Sequence, residues 1–387
     1  MGQNPTHMGT LVFMPWAVLP QIRIGEFELQ PVLLNRRSSD SRYNDWLPAT
    51  QTASRILNAY RHPPDVPIRA ATLVRQEAKA FEDQLSESEI DQLFTLNEAI
   101  AFGGLADRKF FENSGYCNRD SFALTAQRFV ADQGGVSLTQ RRRDGRTTIY
   151  VPENLWSVRR ESHVEPFDRG VFDGPLAALV FREMGAKEGF DRAIRSFNEG
   201  NTDRSTSSEA QELVSIVSAF QQLWGVGGGN TNETVASFVA AMDGVQVKHT
   251  PQAKKPLVQQ RMQSGNSLRE VWMKDLVVLR GSVGHGHSMS RYRSAWTARE
   301  HLLLAAFIFP LLVKRQLERK GTRVLTTEEQ DALCAFDHLL ASKDVFEEPL
   351  VDGIPQFEWN RIRRDEQGEA RIHRVIIEFK RQGTDER

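Results

Sequence analysis

The stretch Trp272-Met-Lys-Asp-Leu-Val-Val-Leu-Arg280-Gly-Ser-Val-Gly-His285-Gly-His287 decides how the C-terminal half of this chain is read. Leu268, Trp272, Leu276 and Leu279 follow one another at spacings of four, four and three, which places them on one face of a helix. Ser267-Leu-Arg-Glu270 opens that helix as a capping box. Thr297-Ala-Arg-Glu300 is another capping box and starts a run to about Glu318, in which Pro310 predicts a kink. The glycines after Arg280 predict that the first of these helices ends there, leaving 281–296 as a polar loop between two anchored helices.

That loop brings an arginine close to two histidines. A guanidinium offers a planar fork of donors to phosphate oxygens and keeps its charge, and imidazole exchanges protons near neutral pH. The pair suits a phosphodiester. A plainer account also fits, in which Arg280 merely caps the C-terminus of its helix. His285-Gly-His287 is a His-x-His pair, but no Cys or carboxylate nearby completes a ligand set, so neither a metal nor a cofactor is expected.

Upstream, the pattern is helical from Leu176. Ser208 can cap a helix whose Leu213, Val217, Phe220 and Trp224 share a face, and Gly225-Val-Gly-Gly-Gly229 ends it. No Lys-Ser or Lys-Thr follows those glycines, which argues against a phosphate loop. Asn232 is a candidate cap for a further helix through Met242.

These residues resemble the HEPN superfamily, whose ribonucleases carry an Arg, four to six intervening residues and a His beside the last long helix of a small bundle. Arg280 and His285 fit with four, Arg280 and His287 with six. Asp191–Asn198 is similar to the first helix of the Apea-like branch, Glu212–Trp224 to its second, and Gly284-His285-Gly286 to its signature, so the resemblance spans roughly 175–320. It implies a metal-independent RNA endonuclease in which Arg280 and His285, with His287 as the other spacing, carry the reaction. It also implies an effector of bacterial anti-phage defence or a toxin, acting as a homodimer or higher homo-oligomer. Family nucleases usually place a polar residue after the Arg, where this chain has Gly281. A non-catalytic module binding RNA, nucleotide or a protein partner therefore stands as the alternative, and a scaffold role as a third. Arg291-Tyr292-Arg293 interleaves bases with an aromatic and is a candidate RNA contact, with a solvated loop as the alternative.

The rest of the chain reads differently. Over 1–165, alternating segments at Leu11–Val18, Ile22–Leu33, Phe122–Ala131, Val136–Arg141 and Thr147–Val151 predict strands, with Asp144-Gly145 a hairpin turn. Ser86-Glu-Ser-Glu89 opens a helix that Gly103-Gly104 is expected to stop. Residues 157–168 read as a linker, and Phe357–Ile362 with Ile372–Phe379 as a C-terminal β hairpin. The fold class expected is α+β: a strand-rich mixed α/β domain over 1–165, an all-α bundle over 170–325 and an extension over 326–387. The first domain is expected to sense a protein or phage trigger or to restrain the second.

Composition sets outer limits. A net charge of -1 excludes a surface coated with basic residues, so any RNA site must be local. The two cysteines, Cys117 and Cys334, lie far apart, which fits a reducing cytoplasm. The longest apolar run, Leu302–Val313, is twelve residues, short of the ~20 that cross a bilayer. No membrane partner is expected. That run has no polar residue, so it must be covered on every side, by the chain itself or by a second copy.

Overall fold

Met8–Met14 forms β1, the strand about which the N-terminal unit is assembled. After it come β2 (Ile22–Ile24), β3 (Phe27–Leu33), β4 (Asn44–Asp45), helix α1 (Gln51–Asn58), β5 (Tyr60–His62), β6 (Val66–Pro67) and β7 (Ala70–Gln76). Helix α2 (Glu87–Ala106) leads to β8 (Thr125–Val130), β9 (Gly135–Arg142), β10 (Gly145–Pro152), β11 (Val158–Arg159) and helices α3 (Gly174–Ala186) and α4 (Glu188–Glu199). The computed structural model describes residues 8–34, 44–45, 51–80, 83–110, 115–130, 135–152, 156–167, 172–245, 251–284, 292–346, 350–351 and 354–355. The chain divides into two compact units, Met1–Ser207 and Ser208–Arg387.

In the first unit the strands form a sheet in the order β10-β9-β8-β1-β7-β3-β2, with β4 beside β3. Neighbours along that path are antiparallel, and β4 runs parallel to β3. The turn at Asp144-Gly145 closes β9 on β10 with Arg142 opposite Gly145, as the dipeptide predicts. Leu11 and Phe13 point into a cluster with Ile56, Tyr60, Leu73 and Phe129, while Thr10 and Val12 line the other side with Phe27, Val74, Leu85 and Leu93. Burial on both faces explains why the apolar alternation in these strands is only partial.

Three expectations for this unit need correction. Gly103-Gly104 does not stop α2, which runs through both to Ala106. A Cβ on Gly104 would lie 2.0 Å from Phe122 Cζ, and one on Gly103 would lie 3.0 Å from Ala177 Cβ. The glycines serve close packing against neighbouring elements, a tertiary need that local rules read as a helix stop. Residues 157–168 are not a free linker: β11 pairs in parallel with β5, and the Phe167 amide donates to the Trp16 carbonyl.

The third concerns the domain boundary. The helices α3 and α4 pack on α2 within the first unit, so the division falls after Ser207 and not near residue 165. Their apolar faces find partners there: Phe197 meets Phe102 edge to face at 5.6 Å, and Asn198 Nδ2 donates to Glu98 Oε2 at 2.7 Å. The segment similar to the first HEPN helix, 191–198, therefore belongs to a different unit from the Arg280 stretch.

The second unit comprises α5 (Glu209–Trp224), α6 (Thr231–Ala241), α7 (Pro256–Met262), α8 (Leu268–Gly284), α9 (Ala298–Arg319) and α10 (Thr327–Ala341), with short strands β12 (Leu350–Val351) and β13 (Ile354–Pro355). Capping boxes at Ser208, Thr297 and Thr326 start α5, α9 and α10, and Ser267 with Glu270 makes the corresponding bonds before α8. Asn230, not Asn232, caps α6. Gly225 ends α5 in the left-handed conformation. The core is aromatic: Phe238 lies 5.3 Å from Trp272, and Trp272 lies 5.1 Å from Phe336.

One more expectation changes here. The helix α10 was not read from the sequence; it packs on α8 and α9, so the bundle continues past residue 325. The hairpin expected at 357–379 lies outside the described residues. The apolar run of α9 is buried from Leu304 to Val313 within a single chain, packed against α5, α6 and α10. Its covering requires no second copy. Among the described residues no helix is long and apolar enough to cross a membrane.

Candidate functional site

Arg280 stands inside α8, which continues through Gly281 to Gly284, so the glycines do not end the helix where expected. Gly281 is tolerated as an ordinary helical residue, and a Cβ there would meet nothing within 4 Å. The Arg280 side chain is half-buried. Its Nη2 donates to Gln221 Oε1 on α5 at 3.1 Å, and its Nε is buried without a partner among the described residues. Burial draws its pKa below the ordinary arginine value, and among the described residues no carboxylate pairs with it. An uncompensated, partly desolvated guanidinium is a receptor for an anion.

His285, His287 and Arg291 lie outside the described residues. At Tyr292 the arrangement differs from an open base-stacking surface. The Tyr292 hydroxyl donates to Asp275 Oδ1 at 2.9 Å, and the Arg261 guanidinium sits 5.5 Å from its ring centroid. Burial, with the Asp275 charge beside it, pushes the phenol up to about 12. Arg293 presents an exposed side chain, while its carbonyl accepts from Arg261 Nη2 at 2.7 Å.

Asp275 is the residue that sequence reasoning missed. It lies one and a half helical turns before Arg280, and its side chain has no exposed surface. Its carboxylate accepts from Arg261, Tyr292, Ser294 Oγ at 2.6 Å, the Ala295 amide at 2.9 Å and His301 Nε2 at 3.1 Å. Burial alone would raise its pKa, but the hydrogen bond and charge of His301, with Ser294 and Arg261, outweigh that and hold it well below the usual carboxylate range. The signal was present: an aspartate three residues from Trp272 and four from Leu279 falls on the inward face of its own helix, where a charge must find partners. His301 is packed, with no exposed surface.

The basic charge between 280 and 320 is largely engaged. Lys314 is buried against Glu329 at 2.8 Å, and Arg299 lies over the Phe346 ring at 5.1 Å. Arg315 Nε donates to the Ala241 carbonyl at 2.9 Å, and Arg319 Nη2 to the Ala240 carbonyl at 3.0 Å, so both cap the C-terminus of α6. Such charges stabilise the fold and are not a free polyanion track. Among the described residues, no group of three or more His, Cys, Asp and Glu side chains could hold a metal ion. No family model, curated protein or solved structure matches this chain.

Proposed function

We propose that the second unit is an RNA endonuclease of HEPN type, in which Arg280 holds the scissile phosphate and His285 moves the proton. The observation that carries this reading is the half-buried Arg280 guanidinium, held by a neutral carboxamide and paired with no carboxylate among the described residues, five residues before a histidine. In the reaction, the RNA 2′-oxygen bonds to the adjacent phosphorus and the bond from phosphorus to the 5′-oxygen breaks. A 2′,3′-cyclic phosphate and a 5′-hydroxyl result. The proton leaving the 2′-hydroxyl and the proton reaching the 5′-oxygen pass through imidazole, worth about 10² to 10⁴ in rate. Arg280 neutralises charge on the phosphate oxygens as the bonds rearrange. The nucleophile belongs to the substrate, so the chemistry needs no metal.

By the same resemblance the chain acts as an effector of bacterial defence or a toxin, as a homodimer, with the first unit receiving a protein or phage trigger. Gly281 favours a second reading, a non-catalytic module that binds RNA, nucleotide or a protein. Incubating the full chain with total RNA in EDTA decides between them. Cleavage leaving cyclic phosphate ends, lost in Arg280→Ala, supports the endonuclease; RNA binding without cleavage supports the module.

A further inference from the structure

We propose that Gln221 is the positioning residue for Arg280, a neutral tether that fixes the guanidinium while leaving its charge for a phosphate of single-stranded RNA. This rests on the reading of the second unit as an RNA-cleaving module. Gln221 is buried, on α5, four residues after Val217 and three before Trp224, on the inward face of that helix. A polar side chain there must be satisfied from within. Its Oε1 accepts from Arg280 Nη2 at 3.1 Å, and its Nε2 donates to Thr234 Oγ1 on α6 at 3.2 Å.

The orientation of that carboxamide is forced from both ends. The single hydrogen of the Thr234 hydroxyl is committed to the Asn230 carbonyl at 2.8 Å, so toward Gln221 the hydroxyl can only accept. Gln221 must therefore turn its NH₂ to Thr234 and its oxygen to Arg280, and a guanidinium, which only donates, requires the same. The relay starts at Asn230, the α6 N-cap, and ends on Arg280. It crosses α6, α5 and α8.

A glutamate at 221 would suit an arginine whose task is structural, because it would pair the charge. It could not serve this relay: it lacks the donor for Thr234, and it would compensate Arg280 and compete with a phosphate for the same donors. Contrast Arg261 and Arg269, which the bundle pairs with Asp275 and Asp337. The glutamine holds Arg280 in place and leaves it uncompensated among the described residues.

The test compares Gln221→Glu, Arg280→Ala and the double variant in the full chain, using binding of a fluorescent single-stranded oligoribonucleotide and the kcat and KM of its cleavage. Gln221→Glu is expected to weaken binding about tenfold, close to Arg280→Ala, and to add nothing in the Arg280→Ala background, because the carboxylate then has no guanidinium to compensate. A role in folding alone would weaken both backgrounds alike, which would overturn the proposal. So would Gln221→Glu binding and cleaving as the unaltered chain does while Arg280→Ala is impaired; that outcome leaves the nuclease reading standing. RNA handling indifferent to Arg280→Ala would overturn both. Should Gln221→Glu not fold, Thr234→Val decides: it removes the acceptor of the Gln221 amide together with the hydroxyl's bond to the Asn230 carbonyl, which keeps the Thr234 backbone amide as donor at 3.1 Å; a severalfold drop in kcat is expected, and unchanged cleavage overturns the proposal.

Discussion

Asp275 on α8 and His301 on α9 face each other with Oδ2 and Nε2 3.1 Å apart, and neither side chain has any surface exposed to solvent. The pair ties the helix that carries Arg280 to the helix that follows it. Through the same carboxylate, Tyr292, Ser294 and Ala295 are fastened to α8, so the chain entering α9 is held at several points. The bundle thus keeps Arg280 on a rigid element, with buried polar groups behind it.

Asp275→Asn should destabilise the second unit by roughly 3 to 5 kcal/mol, since it removes the charge that compensates Arg261 in a buried setting. Thermal or urea unfolding of the variant reads the loss. The pH dependence has a definite sign. The folded-state pKa of Asp275 is depressed, so its contribution is fully present above the unfolded-state value of roughly 3.9 and is lost as pH falls below it. The gap between the chain and Asp275→Asn should therefore narrow in acid below about pH 4.

Gly104→Ala should be costly and Gly281→Ala should not. The added methyl at 104 would lie 2.0 Å from the Phe122 ring, and overpacking of that kind costs roughly 3 kcal/mol. The methyl at 281 meets nothing within 4 Å, and replacing a mid-helix glycine gains about 0.5 to 1 kcal/mol. Melting of the two variants should move in opposite directions.

What the sequence made legible follows from these contrasts. Periodicity and capping boxes are local, so Ser86, Ser208, Ser267 and Thr297 were found as helix starts, and Asp144-Gly145 as a hairpin. Tertiary demands were misread. Gly103-Gly104 yields to Phe122 and Ala177, which lie far along the chain, and Thr326-Thr-Glu-Glu329 is a capping box of the same kind that went unread ahead of α10. Arg280 could be picked out by its spacing from two histidines. Gln221 and Asp275 each showed one clue, a polar residue on an inward face, but which group would answer it depends on how α5 and α8 pack.

Gly281→Asn restores a polar residue after the Arg, and a Cβ at that position meets nothing within 4 Å. On the endonuclease reading it should raise or preserve kcat at unchanged KM, measured on a single-stranded RNA. A fall in kcat with intact folding would mean that the glycine is part of the working site.

Arg280→Ala should reduce cleavage by about 10² to 10³, the range for removing one donor to a developing charge. The cost to the fold should be small, on the order of 1 kcal/mol, because a single hydrogen bond to Gln221 is lost from a half-buried position. His285→Ala should abolish cleavage and His287→Ala should be milder. If the order of the two histidines is reversed, six intervening residues is the operative spacing and the proton carrier is His287.

Because the apolar run of α9 is covered by α5, α6 and α10 of the same chain, separating two copies would not expose it. A homodimer that completes a composite site, with two Arg280 and two His285 across one cleft, would therefore rest on a surface other than that run, and it should be reversible on dilution. Cleavage per chain should rise with protein concentration and reach a plateau, in step with the mass measured by light scattering. Mixing Arg280→Ala with His285→Ala should restore part of the activity, since a mixed dimer keeps one Arg280 and one His285. Cleavage that is strictly proportional to concentration by a monomeric chain, with no rescue in the mixture, would show that one copy of the motif suffices.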